Sequence, residues 1–228
     1  MTQPSRTQHT VRYTQGIGDP SDPRLISKAC ERNTAPLTAA LAAYFEGQSG
    51  TVLEFGSGTG QHGVAFQQAF PGLTWISSDP DPVHRASVLA WAKCLSLPAD
   101  KVFDLDGGAD WAANPDLAGR FPLRAIYCCN VIHISPARTW MGIFDGAAKT
   151  LEPGGEVIFY GPFKRDGAHT ANSNQSFDDG LRAENPKWGV RNLEDLCAYS
   201  EPLGFGPPRI TEMPANNLLV SFKKSKSS

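Results

Sequence analysis

Residues 52–63 read VLEFGSGTGQHG. Four glycines fall within eight residues, after an apolar run and before a helical one. Glycine reaches backbone conformations closed to other residues and leaves no side chain in the way of a ligand. Such a stretch constrains the chain to a tight strand-to-helix turn that holds something against its backbone. The glycines can be counted in two ways. Counted from Gly58 they form G-x-G-x-x-G (Gly58, Gly60, Gly63), and counted from Glu54 they form E-x-G-x-G-x-G (Glu54, Gly56, Gly58, Gly60).

The surrounding pattern is an alternation of helices and strands. Residues 24–45 are Ala- and Leu-rich and helical, with a restart expected where Thr34 precedes Pro36, because proline is tolerated only in a first turn. Strands are expected at 51–55, 73–78, 101–105 (the weakest), 124–129 and 156–160, with helices at 61–70 and 82–97. Ser135 and Pro136 read as cap and first residue of a further helix, and residues 152–155 read as a tight turn into the strand that follows. Residues 161–190 are rich in Gly, Asn, Asp and Pro and read as a long loop with one short helix at most. A helix at 192–203 and two last strands at 208–213 and 217–223, joined at 214–216, close the pattern. Alternation of this kind gives a parallel sheet with helices on both faces. Residues 1–22 are polar, carry several Gly and Pro, and read as an arm without regular structure, leaving 23–228 as a single domain.

Composition narrows the class. The chain has 228 residues, 40% hydrophobic and 19% charged, with a net charge of −2. It carries no electrostatic footprint for nucleic acid, and the lysines at 223, 224 and 226 read as a solvated tail. No apolar run is long enough to span a bilayer. Five scattered cysteines, with no C-x-x-C among them, fit reduced thiols of a cytoplasmic protein. No cluster has metal-ligand spacing, so no metal is expected.

The two counts of the glycines imply different ligands. G-x-G-x-x-G is the dinucleotide pattern, whose helix N-terminus takes a pyrophosphate. The count from Glu54 is the loop that holds S-adenosylmethionine, which has no phosphate. An acid at the end of the second strand, here Asp79, is expected to take ribose hydroxyls in either case. Glu54 inside the first strand, Asp104-Leu105 at the end of the third, the LEPGG turn at 151–155 and the final pair of strands favour the second count. With these residues the chain resembles the class I S-adenosylmethionine-dependent methyltransferases. More narrowly, it resembles a family of small methyltransferase-like proteins of largely unassigned function. The resemblance runs through CERNTAPL (30–37), VLEFGSGTGQHG (52–63), CCNVIHISP (128–136), LEPGG (151–155), YGPFKRDGAHTANSN (160–174), NPKWGVRNLEDL (185–196) and EMPANN (212–217). It implies an α/β, Rossmann-like class I methyltransferase fold, with a mostly parallel seven-stranded sheet, an antiparallel last strand and helices on both faces.

The resemblance and the residues together give a candidate site. Cofactor contacts are expected from Glu54, Gly56, Ser57, Gly58, Gly60 and His62 of the loop, and from Asp79 and Pro80. Asp104 with Leu105 would read the adenine, with Asp106 as the alternative acid. Asn130 and Val131 follow the fourth strand, where ligands of open parallel sheets sit. Arg32 and Asn33 lie on the first helix, where Arg32 could pair with the methionine carboxylate or make a surface salt bridge. His133, with a pKa near neutrality, and then Tyr160 are the candidate bases, and both could also contact the acceptor. Phe163, His169, Asn172, Asn174 and Trp188 are candidate acceptor contacts, with loop or core roles as the alternative. Methyl transfer from S-adenosylmethionine to a small molecule, at oxygen or sulfur, is the expected activity. A non-catalytic module binding the same cofactor, and a nicotinamide oxidoreductase using the other glycine count, are the alternatives.

Overall fold

The computed structural model describes residues 13–16, 19, 21–99 and 101–225. The expected arm falls largely outside these. Its described part is not structureless: Thr14–Gln15 (β1) pairs antiparallel with Leu25–Ile26 (β2). The remaining elements are α1 (Lys28–Phe45), β3 (Gly50–Phe55), α2 (Gln61–Ala69), β4 (Leu73–Ser78), α3 (Pro82–Cys94), β5 (Leu123–Cys129), α4 (Ala137–Thr150), β6 (Leu151–Gly161), β7 (Phe163–Arg165), β8 (Ala168–His169), α5 (Asn172–Glu184), β9 (Arg191–Asn192), α6 (Leu193–Ser200), β10 (Arg209–Met213) and β11 (Asn217–Lys223).

The main sheet has six strands in the order β10-β11-β6-β5-β3-β4. β6, β5, β3 and β4 run parallel, while β11 is antiparallel to β6 and β10 is antiparallel to β11. The seventh strand expected at 101–105 is reduced to one bridge, Ser78 to Phe103, held by two backbone hydrogen bonds. The chain turns away at once, because the Asp106 carboxylate accepts the Gly108 N–H at 2.9 Å and closes a turn there. Strand alternation splits the core between the two faces. Val52, Trp75, Tyr127, Ile158 and Leu219 pack with α1 and α2, and Leu53, Ile76, Ile126, Phe159 and Val220 pack with α4 and α6.

Four local expectations are corrected. α1 runs through Pro36 without a restart; Ser27 caps it, and the hydroxyls of Thr34 and Thr38 donate to carbonyls four residues back. Ser135 does not cap α4: its hydroxyl turns back to the Val131 carbonyl, and Pro136 holds the cap position. Residues 152–155 are not a turn before β6 but an irregularity inside it, where pairing jumps from Leu123–Leu151 to Ala125–Glu156. Residues 161–190 are not a loop with a short helix at most. They form β7, β8 and the 13-residue α5, and β8-β7-β9 is a second, three-stranded sheet. Among the described residues no helix is long and apolar enough to cross a membrane.

The chain passes from β3 to β4 on one side and then returns to place β5 on the other side of β3. The switch point of the sheet therefore lies between the C-terminal ends of β3 and β5, where ligands of open α/β sheets bind. α4 supports this end. Its Gly146 lies against Trp111, and a Cβ there would stand 2.2 Å from Trp111 Cε2. Gly146→Ala is expected to destabilise the fold by about 1–3 kcal/mol through overpacking, read as a lower midpoint in urea with unchanged slope.

Candidate active site

The loop after β3 is held from beneath by two buried carboxylates. Glu54 lies on the α1–α2 face of β3 and is 2% exposed. Its Oε2 accepts hydrogen bonds from Ser57 Oγ at 2.7 Å, Trp75 Nε1 at 3.1 Å and Ser77 Oγ at 3.3 Å. Burial raises its pKa, and the three donors offset only part of that rise. The Ser57 N–H in turn donates to the Ser78 carbonyl at 2.9 Å. Asp79, 4% exposed at the end of β4, accepts the Gly58 N–H on Oδ2 at 2.9 Å.

The glycines serve different needs. Gly56, Gly58 and Gly60 have φ of +66°, +55° and +86°, a region costly for other residues. A Cβ on Gly56 would fall 2.2 Å from Val131 Cγ2, and one on Gly60 would fall 2.8 Å from the Val88 Cα. Those two positions are dictated by packing as well. At Gly58 an added Cβ meets nothing closer than the Gly56 carbonyl at 4.0 Å, so the loop is open to a ligand there. Gly63, the third glycine of the dinucleotide count, has an internal explanation: its Cβ would crowd Glu54 Oε2 at 2.9 Å.

α1 and α3 close on the same loop. Ser27 N–H donates to Gln61 Oε1 at 2.7 Å, Ser87 Oγ donates to the Thr59 carbonyl at 2.7 Å, and Thr59 Oγ1 reaches Cys30 Sγ at 3.7 Å. Arg32 is exposed on α1 with no ion pair among the described residues, and Asn33 is half-buried beside it. Pro80 is exposed directly after Asp79. Arg85 ties Asp104 to this end: it donates to the Asp79 carbonyl at 2.9 Å and lies 3.6 Å from the Asp104 carboxylate. Asp106 is instead engaged with Gly108 and, at 2.9 Å, with Arg138 of α4. Leu105 is buried in the core.

After β5, Asn130 adopts a left-handed conformation with φ of 59° and donates its N–H to the Tyr160 carbonyl at 2.8 Å. Val131 packs against Gly56. His133 is 0% exposed, and neither ring nitrogen is aligned for a hydrogen bond. A Cβ on Gly161 would stand 2.5 Å from His133 Nε2, and Phe163 meets the imidazole edge-on at 5.4 Å. Burial, reinforced by Arg191, pushes its pKa down to about 3. In this conformation the expected base is sealed beneath Gly161. Tyr160, at the end of β6, is 1% exposed, and burial with Cys129 beside it pushes its phenol up to about 12. His62 is also buried, stacked on Phe66 at 5.6 Å with Nε2 unpartnered, and burial lowers its pKa to about 4.

The segment after β6 gathers around a residue that the sequence does not single out. Asp178 is 3% exposed and meets Lys164 Nζ at 2.8 Å, His169 Nε2 at 3.2 Å, Arg182 Nε at 3.0 Å and the Val190 N–H at 2.7 Å. Burial raises its pKa, but Lys164, the Val190 N–H and Arg182 outweigh that and hold it low. Three of the expected acceptor contacts are buried in this scaffold: Phe163 and Trp188 pack inside, and Asn174 donates to the Asn216 carbonyl at 3.0 Å. Asn172 is exposed at the start of α5. Arg191 donates to the Ile132 carbonyl at 2.8 Å and to the Ser135 carbonyl, fixing the segment that carries His133. Among the described residues no group of three or more His, Cys, Asp or Glu is placed to hold a metal.

The family described as "Protein of unknown function (DUF938)" matches residues 24–224. Among solved structures, the chain is similar to an O-methyltransferase family protein from Burkholderia thailandensis, with a TM-score of 0.72, 15% identity, and coverage of 88% of this chain and 58% of that one. It is similar to human N-acetylserotonin methyltransferase in complex with S-adenosylmethionine, with a TM-score of 0.65, 14% identity, and coverage of 87% and 53%. A third is PigF with S-adenosylhomocysteine, with a TM-score of 0.64, 16% identity, and coverage of 84% and 55%. The chain spans between 53% and 58% of the length of these three, and the likeness is one of fold.

Two buried neutral imidazoles beside this site have a consequence for stability. The unfolded chain binds protons at both near pH 6.5, whereas the folded chain resists them down to about 4 at His62 and about 3 at His133. Stability is therefore expected to fall as pH drops below about 6.5, by up to about 1.4 kcal/mol per pH unit for each ring. Urea midpoints between about pH 7 and 4 read this, and His133→Leu should flatten the slope.

Proposed function

This chain belongs to the DUF938 family and carries the class I methyltransferase fold, and on that premise we propose that it is an S-adenosylmethionine-dependent methyltransferase with a small-molecule acceptor. The observation that carries the proposal is the loop at the switch point, pinned by Glu54 and Asp79, with its open approach at Gly58. Close packing of Gly63 on Glu54 suits either count of the glycines, so the buried Glu54 carboxylate beneath the loop is what favours the S-adenosylmethionine count.

The residues fit such a cofactor. Backbone at Gly56, Ser57, Gly58 and Gly60 would line its amino-acid part, with Arg32 and Asn33 of α1 at the rim. Asp79 would accept from the ribose. Asp104, held near Asp79 through Arg85, would read the adenine in preference to Asp106, which is committed to Arg138. When bound, S-adenosylmethionine supplies a methyl group already activated on a sulfonium. What the chain must add is alignment, worth several kcal/mol when reacting atoms are held in line. Asn130 and Val131 stand at the end of β5 for that purpose.

Proton transfer is the lesser part. His133 is sealed and weakly basic, and Tyr160 keeps its proton at neutral pH. The reading these favour is an acceptor that is nucleophilic without a strong base, with oxygen or sulfur as the attacking atom. The same burial is the one observation that favours the second reading, a module that binds the cofactor without turnover. The modest net charge speaks against nucleic acid as acceptor, and the unpaired thiols fit a reducing compartment such as the cytoplasm.

Calorimetric titration with S-adenosylmethionine and S-adenosylhomocysteine should show dissociation constants on the order of micromolar, and none for NAD. Asp79→Ala should weaken binding at least about tenfold, the loss of roughly one good hydrogen bond to a charged group. Binding of NAD alone would overturn the proposal, and binding without turnover against an acceptor panel would leave the non-catalytic module.

A further inference from the structure

Asp79 has a partner that this reading does not use. A carboxylate offers about four lone-pair positions, and three of Asp79's are filled. Its Oδ1 takes the Asp81 N–H at 2.9 Å and His84 Nδ1 at 3.1 Å, and its Oδ2 takes the Gly58 N–H at 2.9 Å. One position remains, on Oδ2. Among the described residues His84 is the only group able to carry a positive charge that touches this carboxylate.

His84 stands in the first turn of α3, and its ring is braced from outside the helix. Tyr13 meets it edge-on, with ring centroids 5.2 Å apart and planes at 88°. Tyr13 directly precedes β1, which pairs with β2. β2 is pinned to α3 by the Leu25 N–H on Ser87 Oγ at 2.8 Å and by Trp91 Nε1 on the Leu25 carbonyl at 3.0 Å. The charged and titratable groups facing the imidazole are Asp79 from the end of β4, Asp81 at the cap of α3 and Tyr13. Arg85, on its own helix, is turned to the Asp79 carbonyl and Asp104.

We infer that His84 is a positioning residue for the cofactor: it orients Asp79 so that the remaining lone pair of Oδ2 can take a ribose hydroxyl, and Tyr13 holds His84 in place. The inference rests on the proposed use of Asp79. Helix capping does not account for the contact, because Asp81 already caps α3 through the Val83 N–H at 2.8 Å. Burial opposes the charge on His84, but the hydrogen bond and charge of Asp79 outweigh it, so the ring titrates above an ordinary histidine. Below that pKa the bond to Asp79 joins two opposite charges and is at its strongest. Above it a neutral N–H still donates to the carboxylate, in a weaker bond. Cofactor affinity should therefore decline as pH rises through the titration of His84.

The test is calorimetric titration of the full chain with S-adenosylhomocysteine, whose sulfur is uncharged, between about pH 6 and pH 9. Wild type should bind several-fold more weakly at the upper end. His84→Asn keeps a donor in the place of Nδ1 but cannot titrate, and it should bind with a flat profile. His84→Ala should bind about tenfold more weakly at the lower end. Tyr13→Ala should also weaken binding there, while Tyr13→Phe should not. A His84→Asn profile with the wild-type slope, or wild-type affinity in His84→Ala, overturns the role of His84 while the loss in Asp79→Ala stands. No binding by wild type overturns the methyltransferase reading and this inference with it.

Discussion

The glycine loop depends on buried acids. A run of residues with positive φ has few backbone partners of its own, and an unrestrained loop of this kind would lose its shape to conformational entropy. Here Glu54 fixes Ser57 from the α1–α2 face, while Asp79 fixes the Gly58 N–H from the end of the neighbouring strand. Ser78 completes the frame, donating its hydroxyl to the Glu54 carbonyl at 2.6 Å and accepting the Ser57 N–H on its own carbonyl. Because β3 and β4 are parallel neighbours in register, Phe55 beside Ser78, the two acids arrive at the loop from adjacent strand ends. Sheet pairing thus decides the conformation of the segment that follows it.

The segment after β6 is built around one carboxylate in the same manner. Asp178 is nearly inaccessible and gathers Lys164, His169 and Arg182. Removing a lone charge from water is costly, and it is sustained only where partners and hydrogen bonds satisfy it. Gly189 allows the close approach, since a Cβ there would lie 2.5 Å from Asp178 Oδ1. Its N–H then donates to the His133 carbonyl at 2.9 Å. The burial of His133 is therefore a consequence of how α5 and the 185–191 segment dock, with Arg191 closing the contact.

Most strands and helices from residue 28 to residue 160 were legible because apolar alternation and turn residues repeat along the sequence. Residues 73–78 form β4 with the bounds expected of them. The third strand was misread because an apolar run such as Val102-Phe103 shows that residues are buried, not how many of them pair. α5 is longer than the short helix expected, because its sequence is polar and carries few apolar residues; much of its docking comes from Asp178, and ion pairs between distant residues leave no periodic trace. Likewise Ser135 fits a cap by type, yet its hydroxyl found a nearer acceptor at Val131.

The sequence by itself determined the frame: an alternating α/β chain, a glycine turn after the first strand of its main sheet, and an acid at the end of the strand beside it. Local propensity and spacing suffice for that, since each signal lies within a few residues. The tertiary structure decided which glycine faces open space and which are dictated by packing, and which acid stands near Asp79 and which is committed to α4. It also decided that His133 and Tyr160 are enclosed, and that Tyr13 and His84 meet at Asp79. Each of these depends on groups brought together from separate strands and helices. Burial and pairing of that kind are set by the packing of the whole chain.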